Sequence, residues 1–387
     1  MRKICFVTGS RAEYGLLSNI MRFVAADKSC ELQIIATNMH LSPEYGLTYR
    51  EIEADGFVIN RKVEMLLASD TPNATTKSVG LATIGFADAY EELKPDLLVV
   101  LGDRYEILSV VSAALFYKIP VAHLHGGEIT EGAYDDAIRH AITKMSHLHF
   151  TSTDTYRKRV IQLGENPEYV FNVGAVGVDN ILSLPLLSKA DLEDSIHFGL
   201  TDKSLLVTYH PVTLGRTSAE TQIVDLLEAL KPLLKEYKVI FTMPNSDTNG
   251  RIIKQRIQEF VQQYPQETIA FDSLGLKRYL SALKYVTAVV GNSSSGIIEV
   301  PSFGIPTLNI GDRQKGRLCA DSVYHCDISR EAIKEGLDQI LSPAFRSLAK
   351  ETRNPYQKDN TAREIARILS SISLDGLIMK SFYDTKQ

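Results

Sequence analysis

The sequence is poor in cysteine, with four thiols in 387 residues, Cys5, Cys30, Cys319 and Cys326, and no C-x-x-C pair among them. That spacing offers no disulfide framework and suits reduced thiols in a cytoplasmic protein. Long apolar runs are missing as well. The strand-like stretch Leu97–Leu101 is far shorter than the roughly 18 to 20 residues of a membrane helix, so no membrane partner is expected. The chain start turns polar at Thr8 after Ile4–Val7, too early for the apolar region of a secretory signal. Excess positive charge is absent, since 42 Lys plus Arg against 47 Asp plus Glu leave a net charge of −5. Nothing in that balance attracts nucleic acid, and an anionic ligand must be held by a local group of cations. Solenoid-length repeats, low-complexity tracts, G-x-G-x-x-G and G-x-x-x-x-G-K-[ST] are all lacking, which removes the usual supports for repeat, dinucleotide and P-loop readings.

What is present is globular. Hydrophobic residues make up 44% and charged residues 23%, and the length suits two or three domains of roughly 150 residues. Ile4–Val7, Leu32–Ala36, Leu97–Leu101, Val121–Leu124, His149–Thr151 and Val170–Val173 read as buried strands separated by amphipathic segments. A helix beginning near Glu13 places Leu16, Leu17, Ile20, Phe23 and Val24 on one face. After the weakly periodic residues 180–203, a second series follows: Leu205–Tyr209, Val239–Met243, Ile269–Phe271, Ala288–Val290 and Thr307–Ile310. The expectation is an α/β protein of two Rossmann-like, doubly wound lobes, residues 1–180 and 181–360, with a cleft between them. The last segment, 361–387, contains a helix over Thr361–Ile372 that either closes the second lobe or crosses back to the first. Ligands of open α/β sheets lie beyond the carboxyl ends of the strands, so the loops there hold the candidates.

The first strand leads into Gly9-Ser10-Arg11-Ala12-Glu13-Tyr14-Gly15. This is either an anion site built from backbone N–H groups and Arg11, or a plain turn with a solvated arginine. The strand Ala288–Val290 leads into Gly291-Asn292-Ser293-Ser294-Ser295-Gly296, then Ile297-Ile298-Glu299. Small residues admit a phosphate to the backbone, and a following helix favours its charge. A capping box is excluded because Gly296 stands three residues before Glu299, which leaves Glu299 to accept ribose hydroxyls. Arg313, Lys315 and Arg317 follow the next strand and read as closing over a diphosphate.

In the first lobe, Asp103 and Arg104 end one strand, Asp103 being either a helix cap or a group facing the cleft. The next strand delivers His123 and His125, expected on one face by the two-residue period, then Gly126, Gly127 and Glu128. The glycines suggest close approach of a ligand, and Asp135, Asp136, Arg139 and His140 open a helix. His-x-His with carboxylates could hold zinc, iron or manganese. A second lobe furnished for diphosphate instead favours acid–base work by Asp103, Glu128 and Asp135, with a histidine as orienter and no metal. His210-Pro211-Val212-Thr213 and Pro244-Asn245-Ser246-Asp247 close two strands of the second lobe.

The segments GSRAEYG (Gly9 to Gly15), GDRYE (Gly102 to Glu106), HLHGGE (His123 to Glu128), DDAIRHAITKMSH (Asp135 to His147), HPVT (His210 to Thr213), GNSSSGIIEVPS (Gly291 to Ser302) and NIGDRQKGR (Asn309 to Arg317) occur in order along the chain. Together they resemble the UDP-N-acetylglucosamine 2-epimerase family, in its hydrolysing branch that supplies N-acetylmannosamine for sialic acid capsules. The resemblance implies a GT-B fold and a cytoplasmic homodimer or homotetramer needing no cofactor. Its expected substrate is a UDP-sugar, either UDP-N-acetylglucosamine or a diacetylbacillosamine relative, with a GT-B glycosyltransferase as the rival reading. It also implies UDP contacts from Arg11, Asn245, Ser293, Ser294, Glu299 and Arg313, with Arg104 and His210 on the diphosphate. Asp103 and Asp135 match catalytic positions, and Glu128 or His125 would handle water. Many hydrolysing relatives carry a glutamate in place of His125, in an HIEGGE version of the loop.

Overall fold

A computed structural model describes residues 1–131, 133–212, 217–244 and 248–385, the side chains of 182 and 183 excepted. The chain divides into two units. One comprises Met1–Glu128, Asp135–Asn180 and Tyr356–Gln387, the other Ile129–Tyr134 and Ile181–Pro355.

The first unit is built on a seven-stranded parallel sheet: β1 (Arg2–Thr8), β2 (Cys30–Thr37), β3 (Arg61–Val63), β4 (Leu97–Leu101), β5 (Val121–Leu124), β6 (Leu148–Thr151) and β7 (Val170–Asn172), in the order β3-β2-β1-β4-β5-β6-β7. Strands buried on both faces read as continuous apolar runs, and all five residues of β4 are buried. Alternate residues feed opposite faces. Ile4, Phe6, Leu97 and Val99 pack with the helices Arg11–Ala26 and Thr361–Ser371, while Cys5, Val7, Leu98 and Val100 pack against Phe86, Val110 and Ile142.

The second unit has six parallel strands: β8 (Ser204–Thr208), β9 (Lys238–Thr242), β10 (Thr268–Phe271), β11 (Ala288–Gly291), β12 (Thr307–Ile310) and β13 (Val323–Cys326), in the order β10-β9-β8-β11-β12-β13. Its sheet is likewise sandwiched, Leu205, Val207 and Phe241 facing one cluster and Leu206, Ile240 and Val289 the other.

Both sheets are doubly wound, as the sequence pattern indicates. Two strands escape that pattern, β3 and β13. Both are sheet edges: Val63 is buried in β3 beside exposed Arg61 and Lys62, and Val323 in β13 beside exposed His325. Short edge strands are one way sheets avoid pairing with other chains, and strands that are only partly buried carry little hydrophobic signal.

In each sheet the strand order reverses beside the first strand of the unit, between β1 and β4 and between β8 and β11. Neighbouring loops diverge there, and the crevice at the carboxyl ends is the usual ligand position. The loops after β1, β4, β5, β8, β11 and β12 carry the motifs singled out above, apart from Pro244-Asn245-Ser246-Asp247, which follows β9.

The helix Thr361–Ser371 buries Ala362, Ile365, Ala366, Ile368 and Leu369 within the first unit. Its N-cap, Asn360, makes no capping hydrogen bond. Asp179 substitutes, its carboxylate accepting from the N–H groups of Thr361 at 3.1 Å and Ala362 at 3.0 Å. Arg2 holds the far end, its guanidinium donating to the carbonyls of Leu369 and Ile372 at 2.6 Å. Removing a helix cap costs about 1–2 kcal/mol. Asp179→Ala is therefore expected to lower stability by about that amount, and Asp179→Asn, which keeps one acceptor, by less. Urea unfolding of the two variants measures both.

Candidate functional site

In the first unit the turn after β1 is closed on itself. Ser10 caps the helix Arg11–Ala26, its Oγ accepting from the N–H of Glu13, and Glu13 Oε2 accepts from the N–H groups of Gly9 at 2.7 Å and Ser10 at 3.1 Å. This is a capping box, legible in the sequence as Ser10-x-x-Glu13. It occupies the two N–H groups of Gly9 and Ser10 that an anion site would have offered. Arg11 pairs with Glu51 at 2.5 Å.

The turn after β4 places Asp103 and Arg104. The helix that follows, Tyr105–Phe116, is capped by Arg104 without a side-chain hydrogen bond, so Asp103 is not a helix cap. Its carboxylate instead forms an ion pair with Arg139. Arg139 lies on the buried face of the helix Asp135–Met145 and is 1% exposed. It also donates to the carbonyl of Glu128 at 2.9 Å and approaches Asp136 at 3.8 Å. No motif assigns this arginine a role, yet it ties the loop after β4 to the loop after β5. Asp135 stands one turn before Arg139 on the same face and is half-buried.

The two histidines separate. His123, the third residue of β5, donates from Nε2 to the carbonyl of Gly102 at 2.8 Å, and its Nδ1 lies 3.2 Å from Thr143 Oγ1. Burial pushes its pKa down to about 3, so the ring is a neutral brace beneath the Gly102–Asp103 turn. His125 lies beyond the end of β5 with φ of 65°, which breaks the strand alternation and turns its ring elsewhere. Its Nε2 accepts from the N–H of Val176 at 3.4 Å, so the hydrogen sits on Nδ1, 3.1 Å from Glu128 Oε1. Glu128 also accepts from Ser152 Oγ at 2.8 Å and is 1% exposed. The close approach signalled by the glycines comes from the protein itself. A Cβ on Gly127 would stand 2.6 Å from the carbonyl oxygen of Tyr156, and one on Gly126 3.1 Å from His123 Nδ1. Among the described residues no group of three His, Cys, Asp or Glu side chains could hold a metal ion.

In the second unit the loops after β8 and β11 are joined by Asn292. Its Oδ1 accepts from the N–H of His210 at 2.7 Å and its Nδ2 donates to the carbonyl of His210 at 2.8 Å. Gly291, with φ of 138°, must be glycine because a Cβ would stand 1.9 Å from the carbonyl oxygen of Thr208. Gln314 Nε2 donates to the carbonyl of Asn292 at 2.8 Å, and Arg313 reaches the same oxygen at 3.5 Å. Of the loop cations, Arg313 turns to the serine loop, while Lys315 is exposed beside Asp312 and Glu131. The helix after the serines, Ser295–Ile298, is a single turn, so the helix dipole expected there is small. What the loop presents is the half-buried side chains of Ser293 and Ser294, with Glu299 buried behind them. Asn245 and Thr213 lie outside the described residues.

A family model described as UDP-N-acetylglucosamine 2-epimerase matches residues 22–370. The chain is 44% identical to the hydrolysing GDP/UDP-N,N'-diacetylbacillosamine 2-epimerase of Campylobacter jejuni, over 99% of each sequence. It is 40% identical to a polysialic acid biosynthesis protein of Escherichia coli, over 99% of this chain and 98% of that one. Its fold is similar to that of Staphylococcus aureus MnaA in complex with UDP, with a TM-score of 0.79, 15% identity and full coverage of both chains. At that identity the likeness speaks for the fold alone, two parallel-sheet domains of the GT-B type.

Removing one partner of a buried ion pair costs about 3–5 kcal/mol, and Asp103 keeps some solvent contact, so Arg139→Met is expected to cost about 3 kcal/mol. The readout is the shift of the urea midpoint at unchanged slope. A loss below about 1 kcal/mol would show that the two loops do not depend on this side chain.

Proposed function

The chain belongs to the UDP-N-acetylglucosamine 2-epimerase family, and from that premise we propose that it is a hydrolysing 2-epimerase of a UDP-linked 2-acetamido sugar. In this reading UDP-N-acetylglucosamine and water give N-acetylmannosamine and UDP, for sialic acid synthesis by a cytoplasmic homodimer or homotetramer. The observation that carries it is the set of ionisable groups in the first unit: Asp103 held by buried Arg139, beside Glu128 held by His125 and Ser152.

The carbon 2 proton is barely acidic, so departure of UDP leads the reaction. The bond from the anomeric carbon to the diphosphate oxygen breaks, its electron pair leaving with UDP, and a carboxylate takes the carbon 2 proton as the double bond of 2-acetamidoglucal forms. Water then adds to the anomeric carbon, and a carboxylic acid returns a proton to carbon 2 from the opposite face. Asp103 and Asp135 serve as the acid–base pair and Glu128 directs the water. His125 orients Glu128, because its other nitrogen is taken by Val176. Arg11, Arg104, His210, Asn245, Ser293, Ser294, Glu299 and Arg313 hold the UDP, cations stabilising the leaving diphosphate.

A second reading, the same chemistry on UDP-N,N'-diacetylbacillosamine, is favoured by the Campylobacter jejuni relative. NMR of the purified protein with each UDP-sugar in deuterated water discriminates the two. The expected product is a free 2-epimer carrying deuterium at carbon 2, with UDP, from the sugar that is turned over. A product still linked to UDP, or no reaction with either sugar, overturns the proposal. Asp103→Asn is expected to lower turnover by a factor of about 10²–10⁴ while UDP affinity stays near its starting value.

A further inference from the structure

Among the buried carboxyls of the first unit that the mechanism leaves unused are Glu13 and Glu106. Glu106, in the first turn of the helix Tyr105–Phe116, is fully buried and accepts from Arg104 Nε at 2.6 Å through its Oε1. That oxygen covers Gly9, where a Cβ would stand 2.4 Å from it. Glu13 reaches the same residue from the helix Arg11–Ala26 and accepts its N–H. Two carboxyls therefore converge on Gly9, where β1 and β4 lie side by side, and one of them, Glu106, binds the guanidinium of Arg104. Glu13 Oε1 and Glu106 Oε2 are both buried without a hydrogen-bond partner.

We propose that Glu13 and Glu106, packed together over Gly9, act as one positioning unit for Arg104 that fixes the guanidinium without cancelling its attraction for a diphosphate. The proposal rests on the reading of Arg104 as a ligand of the UDP diphosphate.

Charge balance supports it. Two buried carboxylates around one guanidinium would leave an uncompensated anion in a site that must attract phosphate, and like charges so placed resist ionising together. Burial, then the charge of Glu106, push Glu13 up to about 8, against the opposing pull of Arg104 and the N–H groups of Gly9 and Ser10. His40, on the far side of the Ser10 turn, is driven by burial down to about 4 and contributes no charge. A neutral Glu13 still accepts the two N–H groups through Oε2 and gives its orphan Oε1 a hydrogen. Glu106 contacts Arg104 at Nε, which sets the plane of the guanidinium, the feature that distinguishes arginine in phosphate recognition.

The sign of the pH dependence follows. Between its ordinary value of 4.5 and about 8, folded Glu13 holds a proton that the unfolded chain has released, so stability falls as pH rises through that window. Above it Glu13 carries a negative charge, which repels UDP.

Calorimetric titration with UDP and thermal melts of the full chain, of Glu13→Gln and of Glu106→Gln test this. The starting protein is expected to lose about fivefold in UDP affinity from pH 7 to pH 9 relative to Glu13→Gln, one added charge acting at short range through a high effective dielectric. Its melting temperature should also fall more between pH 5.5 and 8.5 than that of Glu13→Gln. Glu106→Gln should bind UDP about tenfold more weakly at pH 7 while still melting cooperatively, whereas a neutral isostere at 13 keeps affinity within about twofold there. Parallel pH profiles for the starting protein and Glu13→Gln, or unchanged affinity in Glu106→Gln, overturn the proposal. A starting protein that fails to bind UDP overturns the reading of Arg104 itself, an outcome distinguished by its appearing before any substitution.

Discussion

A polar side chain that water cannot reach must find its partners inside the protein, and in each unit one such side chain does so by tying two strand-end loops together. In the first unit it is Arg139, which joins Asp103 after β4 to the carbonyl of Glu128 after β5. In the second it is Asn292, which grips His210 after β8 from its own place after β11. Leaving a buried polar group unpaired costs about 1–3 kcal/mol, so each loop is held in one conformation by the same contacts that make folding affordable. The groups proposed to act on substrate are thus placed by the packed interior, which is the condition for a site whose geometry is set before ligand arrives.

How far the sequence could be read follows from what burial does to it. The central strands were legible because both faces are covered, so β4 is written as an uninterrupted Leu97–Leu101 run. The edge strands β3 and β13 were not, since each buries only one of its residues. The strand-end loops were located correctly from topology, but their internal wiring was hidden. A single positive φ at His125 defeated the rule that alternate residues share a face. Arg139 could have been found, because Ile142 and Thr143 share its face and are buried, and an arginine on such a face needs partners. The capping box at Ser10 and Glu13 was equally visible as spacing. What spacing could not show is that Glu106 packs over Gly9, a contact between residues nearly a hundred positions apart.

The carboxyls of the first unit differ chiefly in their company, and that difference matters more than their number. Asp103 faces a guanidinium and retains some contact with water, whereas Glu128 is enclosed and faces an imidazole and a hydroxyl. Environments that diverge in this way allow one carboxyl to act as base and another as acid at the same pH. Glu13 and Glu106 form a third environment, in which two acids compete for one cation.

His125 fits the same logic. A glutamate in the place of this ring would set a second carboxylate beside Glu128. The imidazole removes that like charge and supplies a donor in its place, since Val176 fixes the hydrogen on Nδ1 and Glu128 lies within reach of it. The ring therefore has one nitrogen committed to backbone and the other to a carboxylate, an arrangement suited to holding a neighbour in position. Under the proposed mechanism, His125 serves as an orienting contact for Glu128, which directs the water, while Asp103 and Asp135 remain the acid–base pair.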